Sequence, residues 1–151
     1  MSQEISLLHF DQLSKEQLYD MLQLRADVFV IEQASLYRDI DGQDMNAWHI
    51  LCYNKQNQII GVVRILKDIK DSSCYSIGRV AVTKAARGQG LAVKLMERAH
   101  EFITKQEGAE RVELSAQEHL TDFYKSLGYV LVSDELYDDA GIMHVDMIRA
   151  V

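Results

Sequence analysis

The alternation of apolar and polar residues along the chain predicts three helices and a set of short strands. Ser14 and Gln17 form a reciprocal capping pair, and apolar residues then recur at helical spacing. The predicted helices run from Ser14 to about Phe29, from Leu91 to about Lys105, and from His119 to Leu127. Apolar stretches predict strands over residues 5–10, 48–53, 59–66, 75–82, 112–116, 129–132 and 142–149.

The order of these elements indicates an α+β fold with helices on both faces of one sheet. The helix between the strands at 75–82 and 112–116 is long enough for a parallel crossover, which we expect to be right-handed. Proline is absent, and no stretch rich in glycine and serine marks a linker. The whole chain, residues 1–151, is therefore predicted to be a single domain.

The sequence Arg87-Gly88-Gln89-Gly90-Leu91-Ala92 follows a predicted strand and opens a predicted helix. A helix start leaves its first amides without partners, and the positive end of the helix dipole lies beside them. Glycine lets the backbone approach a ligand closely, so a phosphate or pyrophosphate is the expected guest. The motif is neither the dinucleotide fingerprint nor a P-loop. An ordinary tight turn is the alternative.

Composition narrows the choice of partner. The 151 residues carry a net charge of -7 and no basic cluster, which argues against a nucleic-acid partner. This charge favours a cationic or amine-bearing substrate, and it also serves solubility. The stretch from Asp39 to Asp44 could form an acidic rim that attracts an ammonium group, or a merely solvated turn.

Cysteine usage and the N-terminus indicate the compartment. Cys52 and Cys74 lie in apolar surroundings without metal-ligand spacing, so we expect two reduced thiols and no metal. The first residues lack a signal-peptide pattern, and no apolar run is long enough to cross a membrane. A cytoplasmic protein is the prediction.

The glycine turn behind a Val-Ala-Val strand is followed about 30 residues later by Phe123-Tyr124-Lys125-Ser126-Leu127-Gly128-Tyr129. This order resembles the GNAT superfamily of N-acetyltransferases. The segments Leu24–Gln33 and Tyr37–Asp41 look like the ElaA-like subgroup of that superfamily. The resemblance implies a mixed, mostly antiparallel sheet of six to seven strands with a splay between two parallel strands. It also implies acetyl-CoA as acyl donor and an amine acceptor, whose pocket would lie between the loops at 33–46 and 133–141.

The resemblance assigns roles to particular residues. The pyrophosphate would bind the amides of the turn with help from the Arg87 guanidinium. The pantetheine arm would bind the backbone of the strand before the turn. The thioester carbonyl would accept a hydrogen bond from a main-chain NH near Ala81. The implied carrier-binding set is Val80, Ala81, Val82, Arg87, Gly88, Gln89, Gly90, Leu91, Ala92, Gln117 and Tyr124. Gln117 stands where many relatives have asparagine, which puts its contact in doubt.

Catalysis needs an acid for the thiolate and a base for the amine. Tyr124 matches the family position that meets the carrier's sulfur; read without the family, it is a tyrosine at the edge of the core. The glutamate common in the strand before the turn is absent, since that strand offers Ser76 and Arg79. Glu32 and His144 are the substitutes considered as base, ahead of His49 or a chain of waters.

Three functions remain open at this stage. The leading one is an acetyl-CoA-dependent N-acetyltransferase acting on a small-molecule or peptidyl amine. A non-catalytic acyl-CoA-binding regulator is the alternative, and the similarity of the N-terminal Leu-Arg-x-x-Val-Phe to acyl-homoserine-lactone synthases gives a third. The last predicted strand could serve as the edge of a homodimer.

Overall fold

Residues 3–151 are described by a computed structural model, in which they form eight strands and three α-helices. The helices are α1 (Lys15–Arg25), α2 (Leu91–Thr104) and α3 (Thr121–Ser126), and a π-helical segment, Ala26–Glu32, directly follows α1. The strands are β1 (Glu4–His9), β2 (Trp48–Tyr53), β3 (Ile59–Lys67), β4 (Cys74–Val82), β5 (Arg111–Gln117), β6 (Val130–Leu131), β7 (Tyr137–Asp139) and β8 (Ile142–Ala150).

The strands form one open sheet in the order β1-β2-β3-β4-β5-β8-β6, with β7 also paired to β8. All neighbouring strands are antiparallel except β4 and β5, which are parallel and joined through α2. The predicted mixed sheet is confirmed, and the structure adds the short strand β7. The expectation that the last strand is a free edge is wrong, because β8 pairs with β5 on one side and with β6 and β7 on the other.

Each face of the sheet has its own apolar core, so the prediction of helices on both faces is confirmed. On one face, α1 and the π-helical segment pack Met21, Leu24 and Val28 against Leu51, Val62 and Ala81 of the strands. On the other face, α2 buries one apolar side against the central strands, and its core residues are Leu91, Leu95, Met96, Ala99 and Ile103. Burial of these side chains stabilises the sheet that carries the site.

The segment after α1 changes the geometry of the first helix. Ser14 caps α1 as predicted, with its Oγ accepting from the Gln17 amide at 3.0 Å. The helix then widens from Ala26 to Glu32 into π-helix, whose i→i+5 bonding puts more residues in each turn. In an ordinary α-helix, residues seven positions apart lie on one face, but in this wider segment they do not. Arg25 is buried, whereas Glu32 is exposed.

No helix formed by residues 3–151 has both the length and the apolar character needed to cross a bilayer.

Candidate active site

A cleft opens where β4 and β5 separate. The two parallel strands pair only over Cys74–Ser76 and Arg111–Glu113. Beyond that point β4 runs on to Val82 and β5 to Gln117 without pairing, and the space between them is about 520 Å³. That volume is in the range of small-molecule sites. Because the strands diverge, backbone groups of β4 on that side have no partner strand and can bind an extended ligand.

The glycine turn lies next to this cleft. Gly88 and Gly90 both have left-handed backbone, with φ of 79° and 76°, which explains why glycine occupies these positions. Gly90 is the N-cap of α2 and offers no side-chain oxygen to the first turn. The first amides of this 14-residue helix therefore have no side-chain cap, as an anion-binding helix start requires.

Arg87 is held by a carboxylate from the other face of the protein. Its Nη1 and Nη2 donate to Glu32 Oε2 and Oε1 at 2.7 and 2.8 Å, and its Nε donates to the Val82 carbonyl at 3.0 Å. These hydrogen bonds lower the pKa of Glu32. The side chain expected to be available for phosphate is thus paired with one of the two residues considered as general base.

Tyr124 lies in the wall of the cleft, on α3. It is 8% exposed and its ring makes edge contacts with Phe123 and Tyr129. Burial raises the pKa of Tyr124 to about 12, so the phenol is protonated at neutral pH. A buried phenol in this state can donate a proton but cannot act as a base.

His144 lies in the same cleft, on β8. Its Nδ1 is 2.8 Å from the carbonyl oxygen of Ile142. Since a carbonyl only accepts, Nδ1 carries the proton in the neutral ring and Nε2 carries the lone pair. The neighbouring strand places Gln117 directly opposite His144. Gln117 donates from Nε2 to Gln33 Oε1 at 3.3 Å, so its amide already has a partner.

A bulge interrupts β4 within the cleft. Val62 pairs with Ala81 and Arg64 with Gly78, so one residue of β3 faces two residues of β4, Arg79 and Val80. Arg79 has φ of 51°, a left-handed conformation that residues with a side chain rarely adopt. Bulges re-aim the backbone next to functional sites, and this one lies beside Ala81, where the family resemblance implies a carbonyl-polarising NH.

Three aspartates and three arginines form a largely buried ionic cluster behind the bulge, in which Asp41 and Arg79 are half-buried. Asp39, Asp41 and Asp44 come from one loop, whereas Arg25, Arg64 and Arg79 come from α1, β3 and β4. The contacts include Arg25 Nη1 to Asp44 Oδ1 at 2.7 Å and Arg64 Nη1 to Asp41 Oδ1 at 2.8 Å. Burial alone would raise the pKa of Asp41, but Arg64 brings it down to about 2. The predicted acidic rim for an ammonium group is therefore wrong, because arginines neutralise these carboxylates.

His49 belongs to this cluster and not to the cleft. Its Nε2 is 2.9 Å from the Asp44 carbonyl oxygen, and burial lowers its pKa. Among residues 3–151, no group of three or more His, Cys, Asp or Glu side chains is arranged to hold a metal ion.

Most of the residues singled out from the sequence meet in the cleft. They are Glu32, Val80, Ala81, Val82, Arg87, Ala92, Gln117, Tyr124 and His144. The other four residues of the implied carrier-binding set form the adjacent turn and helix start; they are Gly88, Gln89, Gly90 and Leu91.

The two loops expected around the acceptor also meet there, and the Ser35 hydroxyl donates to the Ala140 carbonyl at 2.6 Å. Ser35, Tyr37, Asp139 and Ala140 line the cleft, although sequence reasoning did not name them individually. Residues 35 and 140 are too far apart in the chain for any local pattern to have linked them.

Comparisons with known proteins show the family to which this chain belongs. A family model described as an acetyltransferase (GNAT) domain matches residues 10–151. The chain belongs to this GNAT acetyltransferase family. It is 42% identical to Protein ElaA of Escherichia coli strain K12 over 146 residues, which cover 95% of this chain and 94% of that protein.

Comparison with solved structures leads to the same family. The crystal structure of Escherichia coli ElaA has a TM-score of 0.90 and 40% identity, covering 98% of this chain and 99% of its own. The crystal structure of an acyl-CoA N-acyltransferase from Pseudomonas aeruginosa has a TM-score of 0.91 and 37% identity, covering 99% of this chain and 100% of its own.

Proposed function

We propose that the protein transfers an acetyl group from acetyl-CoA to a primary amine of a small molecule or peptide by direct attack. The observation that carries this proposal is the cleft between β4 and β5. An uncapped, glycine-led helix start lies at one end of it, and Tyr124 and His144 lie in its walls. The membership of the GNAT family supports an acyl-CoA donor.

The donor would bind along the diverging strand. Its pyrophosphate fits the amides of residues 87–92, where the helix dipole and the Arg87 guanidinium both favour an anion. The pantetheine arm carries amides at intervals that match a strand, so the open backbone edge at Val80 and Val82 suits it. The bulge lies beside Ala81, and a main-chain NH there would polarise the thioester carbonyl.

The reaction requires two proton transfers. The amine nitrogen attacks the thioester carbon, the carbon–sulfur bond breaks, and the sulfur leaves as a thiolate. Tyr124, whose hydroxyl stays protonated at a pKa of about 12, would donate its proton to that thiolate and regain one from solvent. The nitrogen would lose its extra proton to a base.

His144 is the better of the two bases considered. Its Nε2 carries a lone pair because Nδ1 is bound to the Ile142 carbonyl. Glu32 is held at both oxygens by Arg87, and its lowered pKa makes it a weaker base. We therefore assign the amine's proton to His144 and regard Glu32 as a carboxylate that competes with phosphate for the Arg87 guanidinium.

The test is an assay of free thiol release from acetyl-CoA with a panel of primary amines. Wild-type protein should release coenzyme A only when an acceptor is present. Tyr124→Phe should lower kcat by about 100-fold while changing coenzyme A affinity little. Tyr129→Phe is the matched control, because this neighbouring buried hydroxyl bonds His100 at 2.6 Å and lies outside the cleft.

Two results would overturn the proposal. Tight binding of coenzyme A without acceptor-dependent thiol release from any amine would favour a non-catalytic acyl-CoA-binding regulator. Unchanged turnover in Tyr124→Phe would remove this tyrosine from the chemistry.

A further inference from the structure

The short strand β7 brings an aromatic ring onto the imidazole assigned as base. Tyr137 is the cross-strand partner of His144 in the antiparallel pair of β7 and β8. The two rings are stacked, with centroids 6.0 Å apart and planes inclined by 24°. Tyr137 itself does not line the cleft, whereas His144 does. The phenol ring is therefore in a position to act on the chemistry through the imidazole.

The hydroxyl of Tyr137 is anchored on two other strands. It donates to Asp146 Oδ1 at 2.6 Å, and it is also hydrogen bonded to the hydroxyl of Ser115. A phenol has one proton, so Ser115 must be the donor in the second bond. Ser115 and Asp146 are themselves directly opposite each other on β5 and β8. The ring over His144 is thus tied to β5, which borders the cleft, and to β8, which carries His144.

His144 has two constraints as a result. The Ile142 carbonyl holds Nδ1 at one edge of the ring, and Tyr137 covers one face. A swing of the whole imidazole about Cα–Cβ would break the Nδ1 bond and the stack together. Only the orientation with Nε2 as the lone-pair nitrogen keeps both contacts.

We propose that Tyr137 is a positioning residue that locks the His144 ring with Nε2 as its free acceptor, and that Ser115 and Asp146 hold Tyr137 in place. This inference rests on the proposed function, in which His144 takes the proton of the amine. Tyr137 takes no part in proton transfer, because its only proton is engaged in the hydrogen bond that it donates to Asp146.

The kinetic test is a double-mutant cycle of Tyr137→Leu and His144→Gln, measured by thiol release. Tyr137→Leu alone should lower kcat by about tenfold with an unchanged KM for acetyl-CoA. In the His144→Gln background the same substitution should cost nothing further. Tyr137→Phe, which keeps the ring and loses its anchor, should fall between wild type and Tyr137→Leu. Leu136→Ala is the control, since this side chain is exposed and adjacent in sequence.

The second test needs no enzymatic activity. Nitrogen-15 NMR of the imidazole should find the Nδ1–H tautomer for His144 in wild type, with the signal assigned by its loss in His144→Gln. Tyr137→Leu should give a mixture of both tautomers. An unchanged tautomer in Tyr137→Leu would overturn the inference, and so would additive losses in the kinetic cycle. Absence of transfer to every amine would instead refute the proposed function, and the NMR result would still decide the role of Tyr137.

Discussion

Replacement of Arg25 by methionine tests the buried ionic cluster most directly. Arg25 is 1% exposed at the end of α1, and its guanidinium makes three hydrogen bonds. Nε donates to Asp39 Oδ2 at 3.0 Å, Nη1 to Asp44 Oδ1 at 2.7 Å, and Nη2 to the Asp39 carbonyl at 2.8 Å. Methionine keeps much of the apolar stem and removes the charge, so the cluster becomes one positive charge short.

The expected loss follows from what remains around the two carboxylates. Removing one partner of a buried ion pair costs about 3–5 kcal/mol, since a buried charge is left uncompensated. Asp44 keeps Arg64 at 3.1 Å and Asp39 keeps Arg79 at 2.8 Å, which places Arg25→Met at the lower end. We expect the free energy of unfolding to fall by about 3 kcal/mol, a large share of the roughly 5–15 kcal/mol typical of a domain.

Urea unfolding at pH 7 measures this loss. Arg111→Met is the matched control, because Arg111 also pairs with two carboxylates but is 34% exposed, and it should cost clearly less than Arg25→Met. Adding Asp44→Asn to Arg25→Met removes the surplus charge, so the double variant should lose less than the sum of the single losses. A cost for Arg25→Met no greater than that of Arg111→Met would refute the reasoning.

Two further predictions concern pH and the donor site. Burial lowers the pKa of His100 to about 4. Between pH 6.5 and 4 the folded state therefore keeps this ring neutral, whereas the unfolded chain binds a proton there. The free energy of unfolding should fall by up to about 3 kcal/mol as the pH is lowered from 6.5 to 4. Urea midpoints against pH should lose this slope in His100→Gln, and an equal slope in both would contradict the assignment. Glu32→Gln frees Arg87 from a competing carboxylate. Calorimetry at low salt should therefore find that the variant binds coenzyme A about two- to fivefold more tightly than wild type. Weaker binding would show instead that Glu32 holds Arg87 ready for phosphate.

The parts of the fold that were predictable depend on neighbours along the chain. The glycine turn needs left-handed backbone at Gly88 and Gly90, and the helix after it needs an apolar side repeated every three or four residues. Such local requirements are visible in sequence. They were enough to place the strands on either side of the cleft, whereas the residues assigned to its walls came in part from the family resemblance.

The missed features depend on partners distant in sequence. Tyr137–Asp139 is a short polar stretch that becomes a strand only because β8 lies beside it. Widening of the first helix into π-helix likewise moved Arg25 and Glu32 apart, although ordinary helical spacing would have put them on one face.

The amino-acid sequence by itself determined the order of the main strands and helices, the glycine turn before α2 and the position of Tyr124 at the edge of the core, because each depends on a few adjacent residues. Only the tertiary structure decided which charges meet. The aspartates of one loop are paired with arginines from three separate elements, and Glu32 is paired with Arg87. Electrostatic attraction depends on distance through space, and packing of the sheet and helices is what sets that distance.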